Sequence, residues 1–279
     1  MLINLVKIEL VKIFKKWRSY IGHIGILFMV SMLQINLFIY GENEIRHITR
    51  NLSDLFIISG NILNGNLIGN LILNAFFILF PLTIVLVAGE IFAGEGTGGT
   101  YRLIITRPVS RMQIILSKFL AGCVYILSIL IWMIFVSLVV SRIIFGSGEL
   151  IVISDGINIF AEDDILWRFG LSYIHIFFSM LLVFTLSFMF SSLVENAIGP
   201  IIATMAVIIF FVILSQIPLD FTKYIKPYLF TNYFMDWQQF FTYDFNWITQ
   251  LKSIGFLAAH SIVFLIITSI IFIRKDILS

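Results

Sequence analysis

Charged side chains are scarce in this chain: Asp, Glu, Lys and Arg make up 12% of its 279 residues, about half the share of an ordinary soluble domain. So few charges cannot cover a soluble surface, and a nucleic-acid binder needs a dense basic face, so both classes are excluded. Cysteine is scarcer still. Cys123 stands alone, which excludes an intramolecular disulfide and the small secreted domains built on one. Lying in an apolar run, it reads as a small packing residue. Five prolines and the low charge argue against a long disordered tail. The four histidines, His23, His47, His175 and His260, share no ligand spacing. No nucleophile elbow or H-E-x-x-H motif suggests hydrolysis. The sequence therefore predicts no enzyme activity, no metal and no cofactor of the chain's own.

What the chain has instead is apolar length. Hydrophobic residues make up 59%, in continuous runs without the alternation of an outer-membrane barrel. Six runs reach the roughly 20 residues that a helix needs to cross hydrocarbon: 20–40, 67–88, 119–141, 171–193, 197–217 and 254–273. The first is too long for a removable signal peptide and lacks a small-residue cleavage site. The predicted fold class is an all-α integral membrane protein with six transmembrane helices, a single domain over residues 1–279.

Basic residues predict its orientation. With the N-terminus inside, the segments 1–19, 89–118, 194–196 and 274–279 hold eleven basic and five acidic groups, and the outer segments hold seven and eleven. Both termini are expected in the cytoplasm of a bacterium, with the chain in its cytoplasmic (inner) membrane. No Asp, Glu, Lys or Arg falls well inside a predicted span, Arg142 sitting at the outer end of the third. That speaks against a proton-coupled carrier.

Residues 1–19 precede the first span and read as an amphipathic interfacial helix. Leu2, Ile3, Val6, Leu10, Ile13, Phe14 and Trp17 fall on one stripe of about 120° at helical periodicity. Lys7, Lys12, Lys15 and Lys16 take the opposite arc, toward anionic lipid headgroups.

The segment 89–118 is the most informative. Span two runs out into Glu90 and Glu95, and Gly94, Gly96, Gly98 and Gly99 then break the helix. Thr100 can cap a short helix from Tyr101 to about Thr106, which stops at Arg107 because Pro108 follows. Ser110 and Gln113 form a capping box that starts the third span. Gly94 and Gly99 have the spacing of a phosphate-binding loop, but Thr100 stands where its lysine should be. The glycines therefore read as a hinge beside a short helix carrying Arg102, Arg107 and Arg111.

At these residues the chain resembles the ABC-2 class of ABC-transporter permeases, among them bacitracin, lantibiotic and sodium exporters and the nitrous-oxide-reductase-maturation type. The matching positions are Glu90, Glu95, Gly96, Thr100, Tyr101, Arg102, Pro108, Val109, Ser110, Arg111 and Lys118, with Gly98–Gly99 as a small insertion. The basic N-terminal helix, the turn SSLVENAIGP and the closing Phe272, Arg274, Lys275, Asp276 and Ile277 match in layout. The resemblance implies that 89–118 carries a cytoplasmic coupling helix, with Arg107 beside it, that docks on a separate ATPase subunit. It implies two such ATPase subunits, which bind ATP and Mg in this chain's stead, and a second permease copy or paralogue. The implied function is export of an amphipathic, lipid-like or peptide substrate. The alternative is mechanical transmission of ATP-driven motion to a periplasmic partner protein.

Three further stretches carry expectations. Asn66, Asn70 and Asn74 recur every four residues beside Gly65 and Gly69, a candidate pathway lining or a helix–helix or dimer seam. Residues 216–252 hold twelve aromatics and are expected to form extracellular or re-entrant helices. Tyr233, Phe234, Trp237 and Trp247 among them are candidates for an external partner or substrate surface. The acidic stretch 146–170, with Glu149, Asp155, Glu162, Asp163 and Asp164, lacks the pattern of a calcium loop and reads as a solvated external loop.

Overall fold

A computed structural model describes residues 1–53, 62–97, 109–154, 156–218 and 220–274. Six helical stretches are long and apolar enough to cross a membrane: Arg18–Gly41, Gly65–Glu95, Arg111–Phe145, Glu162–Leu193, Ile198–Gln216 and Trp247–Arg274. Each coincides with one of the six apolar runs, and the chain is an all-α, multi-pass membrane protein. Ahead of them stands α1 (Leu2–Lys15), and α2 (Arg18–Ser53) holds span 1. Span 2 is α3 (Gly65–Phe76), α4 (Phe80–Ala88) and α5 (Glu90–Thr97). Span 3 is α6 (Arg111–Ile134) and α7 (Val140–Phe145). Spans 4, 5 and 6 are α8 (Ile165–Leu193), α9 (Ile198–Gln216) and α11 (Trp247–Arg274), with the short α10 (Asp220–Ile225) between the last two.

The two breaks within spans have local causes. In span 2 a tight turn at Phe77–Leu79 separates α3 from α4. Pro81 sits at the start of α4, where it has no N–H to give the preceding turn. In span 3 residues Phe135–Val139 form a π-helical turn, a wide turn that disturbs the regular backbone ladder. There Gln34 of span 1 donates from Nε2 to the Val136 carbonyl and to Ser141 Oγ, both at 2.9 Å.

Span 4 is the core. Ile176, Met180, Leu182, Val183, Phe184, Leu186 and Phe188 along it are all buried, between spans 2, 3, 5 and 6. Four of its buried hydroxyls cost little because they bond back to their own helix: Ser172 to the Arg168 carbonyl, Ser179 to that of His175, Thr185 to that of Leu182 and Ser192 to that of Met189. Spans 1 and 5 instead present rows of exposed Ile, Leu, Met and Phe, the side chains that hydrocarbon accepts.

The stretch 146–170 is not the open loop its acidity suggests. Strands β1 (Leu150–Ile153) and β2 (Ile157–Phe160) pair antiparallel, Leu150 opposite Phe160. The helix of span 4 then begins earlier than hydropathy alone places it. Glu162, Asp163 and Asp164 form its entry turn, where negative charge suits the positive end of a helix. Between spans 5 and 6, residues 226–241 fold into short 3-10 turns. They form a wedge held between spans 4 and 6.

Candidate functional site

The bundle has a near end, where the chain begins, and a far end, where the hairpin and wedge lie. At the near end Lys118, on the second turn of α6, has a side chain with no exposed surface at all. Its ammonium lies 3.0 Å from Glu9 Oε2 on α1 and 2.7 Å from Glu95 Oε1 on α5, and donates to the Ile91 carbonyl at 3.2 Å. Lys12, one turn beyond Glu9, bridges the same two carboxylates at 2.7 Å each. Glu90, at the head of α5, takes Lys16 and Arg18. Buried charges are tolerated only in such paired, hydrogen-bonded sets.

The pairing shows in proton affinities. Burial alone would raise the Glu9 carboxyl, but the Lys118 ammonium and the hydrogen bonds from Lys12 and Lys118 outweigh it and hold Glu9 below the usual carboxylate range. Burial likewise works to lower Lys12, and its bonds to Glu9 and Glu95 overcome it and raise the amine. Glu9 and Lys12 are therefore both ionised at neutral pH. The contribution of the Glu9 carboxylate holds above the ordinary Glu range and is lost as pH falls through the depressed value.

This arrangement gives the N-terminal helix partners within the protein. Glu9 and Ile13 are the buried residues of α1, while Ile3 and Trp17 from the expected stripe are exposed. Glu9 and Lys12 turn toward α5 and α6, and the exposed Lys16 reaches Glu90. The helix lies along the first turns of α6: Glu9 meets Lys118, and Phe14 meets Tyr125 with ring centroids 6.1 Å apart. Ser19 Oγ closes the turn into span 1 on the Ile13 carbonyl. Sequence reasoning counted Lys118 as part of a motif but missed Glu9 and Lys12, whose partners lie more than eighty residues away.

Of the predicted coupling residues, Glu95 thus pairs with Lys12 and Lys118, and Glu90 with Lys16 and Arg18. Arg111 heads α6 beside the capping box of Ser110 and Gln113, and donates to the Phe272 and Ile273 carbonyls near the end of span 6 at 3.1 and 2.7 Å. Thr100, Tyr101, Arg102, Arg107 and Pro108 lie outside the described residues. The two described edges of that stretch, α5 and α6, are both pinned: α5 to α1 and α6, and α6 to span 6.

The asparagine row is used within the chain. Asn66 accepts from Arg142 Nε at 2.7 Å and donates to the Gly148 carbonyl at 2.6 Å. Asn64 caps α3 and donates to the Glu149 carbonyl. Asn74 donates to Asn70 and accepts from Gln238. Asn66 and Asn70 are buried, so the row joins spans 2 and 3 to the wedge.

The aromatic candidates divide. Phe234 and Trp237 are buried and Tyr233 is half-buried, so the first two are core residues, not an external surface. Trp247 is exposed and stacks on Trp167. What seats the wedge is Arg168, a buried residue that sequence reasoning passed over. Its guanidinium pairs with Asp164 at 2.9 Å, donates to the Phe240 carbonyl at 2.6 Å, and lies 4.1 Å from the Phe160 ring centroid. Tyr243 completes the joint by bonding the backbone of Ile159. Among the described residues no group of three or more His, Cys, Asp or Glu is placed to hold a metal ion.

A family profile described as "Protein of unknown function (DUF2705)" matches residues 27–278, and the chain belongs to that family. It is also similar to "Uncharacterized protein YhcI" of Bacillus subtilis (strain 168), at 30% identity over 213 residues. That alignment takes in 72% of this chain and 66% of the relative, so the chain spans just under two thirds of that protein's length. The profile match includes Glu90, Glu95 and Lys118 and begins after Glu9 and Lys12.

Proposed function

We propose that the chain is the membrane subunit of an ATP-driven transporter of the ABC-2 permease type, working in the bacterial cytoplasmic membrane with its near end and both termini in the cytoplasm. ATP and magnesium belong to two partner ATPase subunits, and a second permease copy or paralogue completes the assembly. The single observation that carries this reading is the Glu9–Lys12–Glu95–Lys118 cluster. It fastens the two described edges of the segment around Arg107 to each other and to α1. A push on that segment therefore moves spans 2 and 3 together, with span 6 following through Arg111. A basic loop serving only to orient the chain needs no buried lysine bridging two helices, since charge outside the membrane suffices for that. Export of an amphipathic or lipid-like substrate suits spans whose exposed faces are apolar.

A second reading, transmission of motion to a partner beyond the far end, draws on the hairpin. Ile153, Ile157 and Ile159 are exposed there, on a piece clamped to span 4 through Arg168.

The test is to express the chain with the ATPase encoded beside it, purify through a tag on the permease, and measure hydrolysis in lipid discs. The expected result is copurification with hydrolysis above that of the ATPase alone, and Arg107→Glu returns it to the ATPase-alone rate. Absence of any ATPase, or an Arg107→Glu complex that behaves as wild type, refutes the proposal.

A further inference from the structure

The ionic cluster and Arg111 join spans 2, 3 and 6 at the near end, and span 4, the core of the bundle, enters there by a different bond. Span 2 is parted at Gly89, between α4 and α5. A helix that begins after such a break needs partners for its first N–H groups. They ordinarily come from the side chain of the residue before it, a serine, threonine, aspartate or asparagine. Gly89 has no side chain, and its surroundings leave no room for one. A methyl group there would come within 2.9 Å of Ile201 Cγ1, 3.1 Å of the Val85 carbonyl oxygen and 3.4 Å of the Ala197 carbonyl oxygen.

The capping hydroxyl comes from another helix instead. Ser191, in the last turn of span 4, has no exposed surface. It accepts from the N–H of Phe92 at 3.1 Å and from that of Ala93 at 3.0 Å, and donates to the Gly89 carbonyl at 2.7 Å. A hydroxyl has one proton and two lone pairs, so its whole bonding capacity is spent on α5 and the residue before it. The hydroxyls of Ser172, Ser179, Thr185 and Ser192 bond to carbonyls of their own helix; that of Ser191 crosses to span 2. The side chain of Phe92 adds area to the same joint, its ring centroid lying 4.6 Å from that of Phe188 on span 4 and 4.9 Å from that of Phe272 on span 6. Ring contacts set how closely α5 lies. Three directed bonds to nearby backbone atoms set where it begins and how it is turned.

We propose that Ser191 is the positioning residue through which span 4 holds α5: it caps, from a neighbouring helix, an end that Gly89 cannot cap, so that a displacement of α5 carries span 4 with it. Span 5 meets the same joint, since Ala197 and Ile201 at its start close on Gly89. The transmission rests on the coupling reading given above; the cap does not.

The test is amide hydrogen exchange of the full chain in lipid discs, corrected for intrinsic rate and resolved at Phe92 and Ala93. Ser191→Ala is expected to raise exchange at both about fivefold, the size of a lost helix cap. Ser191→Thr keeps the hydroxyl and is expected to hold the wild-type rate. Ser187→Ala removes another buried hydroxyl, one turn earlier on span 4, and is expected to change neither amide. Wild-type exchange in Ser191→Ala, or an equal rise in Ser191→Thr or Ser187→Ala, overturns the cap. In the complex with the ATPase, Ser191→Ala is expected to copurify as wild type does while stimulated hydrolysis falls by a like factor, and wild-type hydrolysis there overturns the transmission. A wild-type chain that recruits no ATPase removes the coupling reading and the transmission with it, and exchange at Phe92 and Ala93 still decides the cap.

Discussion

Replacing Lys118 by Met is expected to destabilise the protein by about 3–5 kcal/mol, the cost of removing one partner from a buried ionic set. The substitution keeps most of the side-chain volume, so the loss measures charge rather than packing. Glu9 and Glu95 would lose the buried ammonium that they share, and Lys12, which bridges the same two, is itself partly exposed. Reversible unfolding in detergent micelles, followed by circular dichroism, is the measurement. Adding Glu9→Gln and Glu95→Gln to Lys118→Met should recover much of the loss, because the two buried carboxylates that it pairs with go with the lysine. A Lys118→Met protein as stable as wild type would mean that the ammonium is not held as described.

The second large effect is expected at Gly65. A methyl group there would come within 2.4 Å of Arg142 Cα, 2.5 Å of Arg142 N and 2.6 Å of the Ser141 carbonyl carbon. All three are backbone atoms, and no rotamer change can move them aside. Gly65 also donates its N–H to the Gly146 carbonyl at 2.8 Å, and Gly146 has φ +75°, a conformation that glycine adopts without strain. Gly65→Ala therefore forces α3 away from span 3 and breaks this joint, at an expected cost of about 3 kcal/mol, the upper part of the range for overpacking. Gly170→Ala is the control. Nothing lies within 4 Å of a methyl group there, and in mid-helix the change should stabilise by about 0.5–1 kcal/mol. Equal effects at the two sites, read from the same unfolding curves, would contradict the close approach at Gly65.

The architecture was legible where hydropathy decides it. Spans 2 and 3 end close to where apolar residues give way to Glu90 and to Ser110, because hydrocarbon excludes charge over a fixed thickness. The capping box at Ser110 was legible too, being a contact three residues long. The hairpin carried a signal that the acidity of its neighbours masked: LIVI and INIF flank the three residues Ser154, Asp155 and Gly156, a short connection ending in glycine of the kind that joins strands. The entry of span 4 was misplaced because Arg168 looks like a loop residue until its carboxylate and carbonyl partners are seen. The pairing of Glu9 with Lys118 had no local signal of any kind. Nor could composition tell Trp237, which fills the core, from Trp247, which faces outward.

Span 1 shows how a lightly covered helix is kept in place. Lipid tails are as apolar as its exposed leucines and isoleucines, so apolar contact gives it little reason to stay against the bundle. Gln34 supplies the reason. If span 1 withdrew, its amide and the Val136 carbonyl would each face hydrocarbon without a partner, a cost of several kcal/mol per group. The amide acts as a registration pin: rotating the helix by one residue, or sliding it by one, takes the nitrogen away from both Val136 and Ser141. The wide turn in span 3 is therefore a socket that sets the depth and rotation of span 1 at this level, as the bonds from Tyr125 and Trp132 to the Ser19 and His23 carbonyls do nearer its start.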